Sequence, residues 1–80
     1  MNKELLKAIA LAQGGKWDAA HEIVQRFETD ATAAWLHAVL HKIEGDEGNS
    51  RYWYQRAGEL KHASDAPAAE LAVIRSQLEG

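Results

Sequence analysis

Residues 35–58 read W35-LHAVLHKIE-G45-DEGNSRYWYQRA-G58, and the reading of this stretch decides the fold. Trp35, Leu36, Val39, Leu40 and Ile43 recur at three- and four-residue spacing, which places them on one side of an α-helix. Asp30 is the expected N-cap of that helix, and Gly45 its stop, because glycine adopts the left-handed conformation that closes helices. The predicted helix spans Ala31 to Glu44. A second helix begins almost at once, capped by Asp46 or Asn49, and runs to about His62 with Trp53, Tyr54, Ala57 and Leu60 on one face. So short a link forces the two helices into an antiparallel hairpin.

Working outward, Lys3–Gln13 carries Leu5, Leu6, Ile9 and Ala10 on one face and ends at Gly14-Gly15. A helix from Trp17 to about Glu28 follows, with Trp17, Ala20, Ile23, Val24 and Phe27 inward and His21 on the border. Beyond residue 62, Ser64-Asp65-Ala66-Pro67 is a helix start, with Pro in the first turn. It opens a helix whose narrow stripe of Leu71, Ile74 and Leu78 suits a lid on the edge of a bundle. No strand-like alternation interrupts these segments. The expectation is an all-α domain spanning residues 1–80: five helices, as two antiparallel hairpins plus a C-terminal helix.

Composition narrows the function. The chain has 80 residues, 46% hydrophobic and 26% charged, with net charge −3. That is enough for a thin core. Its nine basic residues are scattered among twelve acids, which disfavours nucleic-acid binding. No run of 18 apolar residues occurs and the N-terminal segment lacks a secretory pattern, so a cytoplasmic location away from the membrane is expected. Without cysteine there is no disulfide, thiolate metal site or cysteine nucleophile.

Two segments resemble repeat families. GGKWDAAHEIVQ is similar to the tetratricopeptide pattern in placing Gly14 three residues before Trp17 and Ala20 three after it. DEGNSRYWYQRAG resembles the second helix of a Sel1-like repeat through Asp46, Ser50, Trp53, Tyr54, Arg56, Ala57 and Gly58. The preceding segment departs from that pattern, with Ala38 where glycine is usual and His41 where tyrosine is usual. The combination of WDAAH with HAVLHKIEGDEGNSRYWYQRAG also resembles small bacterial helical proteins, and that resemblance implies no biochemical activity. The repeat resemblance implies an α–α superhelix fragment that binds a protein or peptide. Only two units fit, so the C-terminal helix or a second copy of the chain, as a homodimer, is expected to cover an exposed end.

Among chemistry-bearing residues, His37 and His41 sit at i, i+4 with Glu44 one turn on, the spacing that puts two imidazoles on one helical face. A metal site there needs a third ligand from another helix, His21 or His62. The competing reading makes the histidines structural, bridging helices and hydrogen-bonding to the indole N–H and phenol O–H groups of Trp17, Trp35, Trp53 and Tyr54. An acid–base pair of His21 or His37 with Asp18 or Glu22 is a further option, but no phosphate loop, nucleophile elbow or triad signature accompanies it. Tyr52 points instead to the charged side of its helix, beside Arg51, Gln55 and Arg56. Aromatic and arginine side chains together favour protein recognition. The expected function is therefore non-catalytic protein or peptide binding, without cofactor, through Tyr52, Arg51, Gln55 and Arg56 with His37 and His41 lining an adjacent groove. The alternative is a small metal-binding protein or enzyme built on His21, His37 and His41.

Overall fold

A computed structural model describes all 80 residues. It contains α1 (Asn2–Gln13), α2 (Trp17–Gln25), α3 (Ala31–Glu44), α4 (Glu47–Ala57), a single 3₁₀ turn (Leu60–His62) and α5 (Pro67–Glu79). The protein is all-α. α1 pairs with α2 and α3 with α4, while α5 lies against α1 and α3.

α3 is the central element, with every residue from Ala33 to His41 buried. Its ends are fixed chemically: the Asp30 carboxylate accepts from the Ala33 N–H at 2.9 Å, and Gly45 closes the helix at φ 87°. The small residues Ala34 and Ala38 let neighbouring helices come close. Ser50 of α4 exploits this, its hydroxyl donating to the Ala38 carbonyl at 2.8 Å. Ile43 departs from the expected apolar arc and is exposed.

Two boundaries and one buried face also differ from the sequence expectation. α4 ends at Ala57, not near His62, because Gly58 turns left-handed at φ 73° and the Glu59 N–H bonds back to the Tyr54 carbonyl. α2 ends at Gln25, and Arg26–Thr29 form tighter turns in which the Phe27 N–H donates to Val24 and the Asp30 N–H to Phe27. In α1 the buried face is Leu5, Ala8 and Ile9, leaving Ala10 outside.

One polar cluster sits inside the core. The Glu70 carboxylate of α5, 1% exposed, accepts from Trp35 Nε1 at 2.8 Å, from the Tyr54 hydroxyl at 2.5 Å and from Lys42 Nζ at 2.7 Å. Lys42 also donates to the carbonyls of His62 and Asp65. A buried charge is tolerated only when paired and fully hydrogen-bonded, and here α3, α4 and α5 each supply a member. Burial, followed by the bond to Glu70, pushes the Tyr54 phenol well above its ordinary range.

Candidate functional site

Two features on α4 and its neighbours are candidates for function, and Trp53 joins them. The inner one is a histidine cluster. His37 and His41 of α3 are stacked, with ring centroids 4.9 Å apart, and His21 of α2 approaches both edge-on at 4.7 and 5.2 Å. The Nε2 atoms of His21 and His37 are 3.0 Å apart, a hydrogen bond in which one ring donates and the other accepts. His41 Nδ1 lies 2.6 Å from a Glu44 carboxylate oxygen. His37 Nδ1 is buried with no partner.

That orphan nitrogen assigns the tautomer. If His37 accepted at Nε2, its Nδ1–H would be a buried donor without an acceptor. With Nε2–H donating to His21, only a lone pair is left unmatched, which is the cheaper state. Burial, reinforced by the two neighbouring histidines, pushes His37 down to about 3 and lowers His21 as well. Both rings are therefore neutral at neutral pH.

Indoles form the walls. Trp17 stacks on His21 at 4.6 Å and Trp53 on His37 at 4.0 Å, while Trp35 stacks on His62 at 4.9 Å, so each indole faces a different imidazole. The rings fill space for one another, but the expected hydrogen bonds between them are absent. Trp17 Nε1 donates to the Leu40 carbonyl at 2.6 Å, and Trp35 Nε1 and the Tyr54 hydroxyl both donate to Glu70. His62 belongs to another region, bonded to Asp65 at 2.7 Å, and is not a third member of the cluster. Neither Asp18 nor Glu22 pairs with a histidine: Glu22 is bridged to Arg26, and His21 is bonded to His37.

The outer feature is the exposed face of α4. Arg51, Tyr52, Gln55 and Arg56 are all exposed, whereas His37 and His41 are buried and line no surface groove. The correction follows from α4 itself, whose Trp53 covers His37. The Arg56 guanidinium lies over both the Tyr52 and the Trp53 rings, at 5.7 and 5.3 Å, and donates to the Tyr52 hydroxyl at 3.4 Å. Trp53 is thus sandwiched between an interior imidazole and a surface guanidinium. Neither Arg51 nor Arg56 has a carboxylate within ion-pairing distance.

Three recesses of about 490, 420 and 410 Å³ open at the surface, and no histidine lines any of them. Arg51 borders the first, with Lys42 and Ser50, and Arg56 borders the second. No helix is long and apolar enough to cross a membrane. No family model, curated protein or solved structure matches the chain.

The sequence singled out all three members of the histidine cluster and all four residues of the α4 face. It missed Glu70 and Lys42. The signal for Glu70 was its place beside Leu71, one turn before Ile74, inside an apolar stripe too narrow to be complete without it.

Proposed function

We propose that the protein is a non-catalytic binding module whose working surface is the exposed face of α4, and that its occupant is an acidic peptide segment of a partner protein. The observation that carries this reading is a pair of arginines without carboxylate partners, in a chain with an excess of acids, set beside a half-exposed tyrosine on a rigid helix. Arginine and aromatic side chains are the residue types that dominate binding hot spots. Arg56 is held in place by the Tyr52 and Trp53 rings, so little side-chain entropy is lost when it engages a carboxylate. A binding role is favoured over a catalytic one because the histidines sit in packed aromatic stacks, outside every recess large enough for a substrate. The hairpin order α1–α2, α3–α4 supports the repeat-like reading, with α5 packed against α1 and α3.

Selection of a random peptide display library against the protein tests this. Enriched peptides are expected to be acidic, to bind more weakly as salt is raised, and to lose binding to a Tyr52→Ala, Arg56→Ala double variant. A consensus without acids, or binding indifferent to the double variant, overturns the proposal. So does sedimentation equilibrium showing a dimer that the double variant abolishes, which assigns the face to a second copy of the chain.

A further inference from the structure

His21, His37 and His41 each place one ring nitrogen within 4.8 Å of the other two. In a tetrahedral zinc site, with Zn–N bonds of about 2.0–2.1 Å, ligand nitrogens sit about 3.3 Å apart. The Nε2 atoms of His21 and His37 are at 3.0 Å. Small side-chain rotations thus suffice to admit an ion where a hydrogen bond now runs. We infer that the His21–His37–His41 triad is a binding site for a borderline first-row divalent cation of the Zn²⁺ class.

His41 has the surroundings of a metal ligand. His41 holds Glu44 through Nδ1, which leaves Nε2 for an ion and fixes the ring's orientation and tautomer, the arrangement by which carboxylates support metal-bound histidines. Trp17 and Trp53 press against His21 and His37 and limit their tilt. Three imidazoles suit Zn²⁺, Co²⁺, Ni²⁺ or Cu²⁺ and are poorly matched to Ca²⁺ or Mg²⁺, which take oxygen ligands. Partly exposed His21 marks the edge by which an ion enters.

Packing alone does not account for His37. A leucine or phenylalanine would fill its volume with no polar atom to desolvate, whereas His37 carries a buried Nδ1 that meets nothing. On ion binding, its proton moves from Nε2 to Nδ1, still without an acceptor. His37 is therefore the costliest of the three ligands and His41, held by Glu44, the best prepared. Nothing in this site depends on what occupies the α4 face.

The test is calorimetric titration of tag-free, metal-stripped protein with Zn²⁺, alongside the visible spectrum of the Co²⁺-loaded protein. One ion per chain is expected, with the intense absorption of low-coordinate Co²⁺. His21→Gln should weaken binding at least tenfold and Glu44→Gln by about 10–100-fold, the range for loss of a supporting carboxylate. Asp46→Asn, which keeps the α4 cap, should leave binding unchanged. Less than one ion per chain, or wild-type affinity in His21→Gln, overturns the inference. Loss of binding in Asp46→Asn with His21→Gln intact also overturns it, because the ion then belongs to the neighbouring His41–Glu44–Asp46 group. Should His21→Gln fail to fold by circular dichroism, the wild-type Co²⁺ spectrum decides: weak octahedral bands sink the site.

Discussion

Glu70 shows how much one side chain can organise here. Its two oxygens gather an indole and an ammonium from α3 and a phenol from α4. Replacing it with glutamine keeps the volume but turns one acceptor into a donor facing Lys42. Breaking a buried pair in this way costs about 3–5 kcal/mol, a large share of a small domain's stability. Chemical denaturation of Glu70→Gln should show that loss. Tyr54→Phe, which removes one bond to a charged acceptor, should lose less, about 1.5–3 kcal/mol. If the two variants are equally stable to wild type, the cluster is not what holds α5 in place. The place of Glu70 beside Leu71 is a weak signal in the sequence, because a lone Glu on an amphipathic helix is normally a surface group. Only the tertiary arrangement of Lys42, Trp35 and Tyr54 makes it an interior one.

Among the elements, legibility followed local chemistry. The bounds of α3 could be read because Asp30 caps one end through its own side chain and Gly45 reverses the chain at the other. The end of α4 was misread because Leu60 continues the Trp53–Ala57 stripe; its own exposure shows that the continuation is formal. The glycines of this hairpin give a test with opposite signs. Gly45→Ala forces an L-side chain to φ 87° and should destabilise by about 1–2 kcal/mol. Gly48→Ala, three residues on and inside α4, meets nothing closer than 4.0 Å and should stabilise by about 0.4–1 kcal/mol. Thermal melts of the two variants check both signs, and a shift in the same direction for both contradicts the assignment of Gly45 as a left-handed stop. The histidine cluster was only half legible for a related reason. The i, i+4 pair on α3 is a local pattern, whereas His21 joins it through the packing of α2 on α3, which spacing alone does not specify.

For the molecule as a whole, the neutral imidazoles tie stability to pH. His37 titrates at about 3 when folded and at 6.5 when unfolded, so between those values the unfolded chain holds more protons. Stability therefore rises with pH across that window, by up to about 1.4 kcal/mol per pH unit for one group, and the contribution is complete above 6.5. His21, also lowered, acts in the same direction. Urea midpoints measured from pH 7.5 down to 4 should fall steadily, and a His37→Phe variant that still folds should fall less. A midpoint that is flat from 7.5 to 5 contradicts the buried, neutral His37.

The face-to-face pairing of every indole with its own imidazole also gives the protein an optical signature. An imidazolium quenches an excited indole far more effectively than a neutral ring does, because it accepts an electron more readily. Trp17 and Trp53 should therefore stay bright wherever His21 and His37 remain uncharged. Emission from two single-tryptophan variants, one keeping Trp17 and one keeping Trp53, would then record the protonation of His21 and of His37 without a dye or a label.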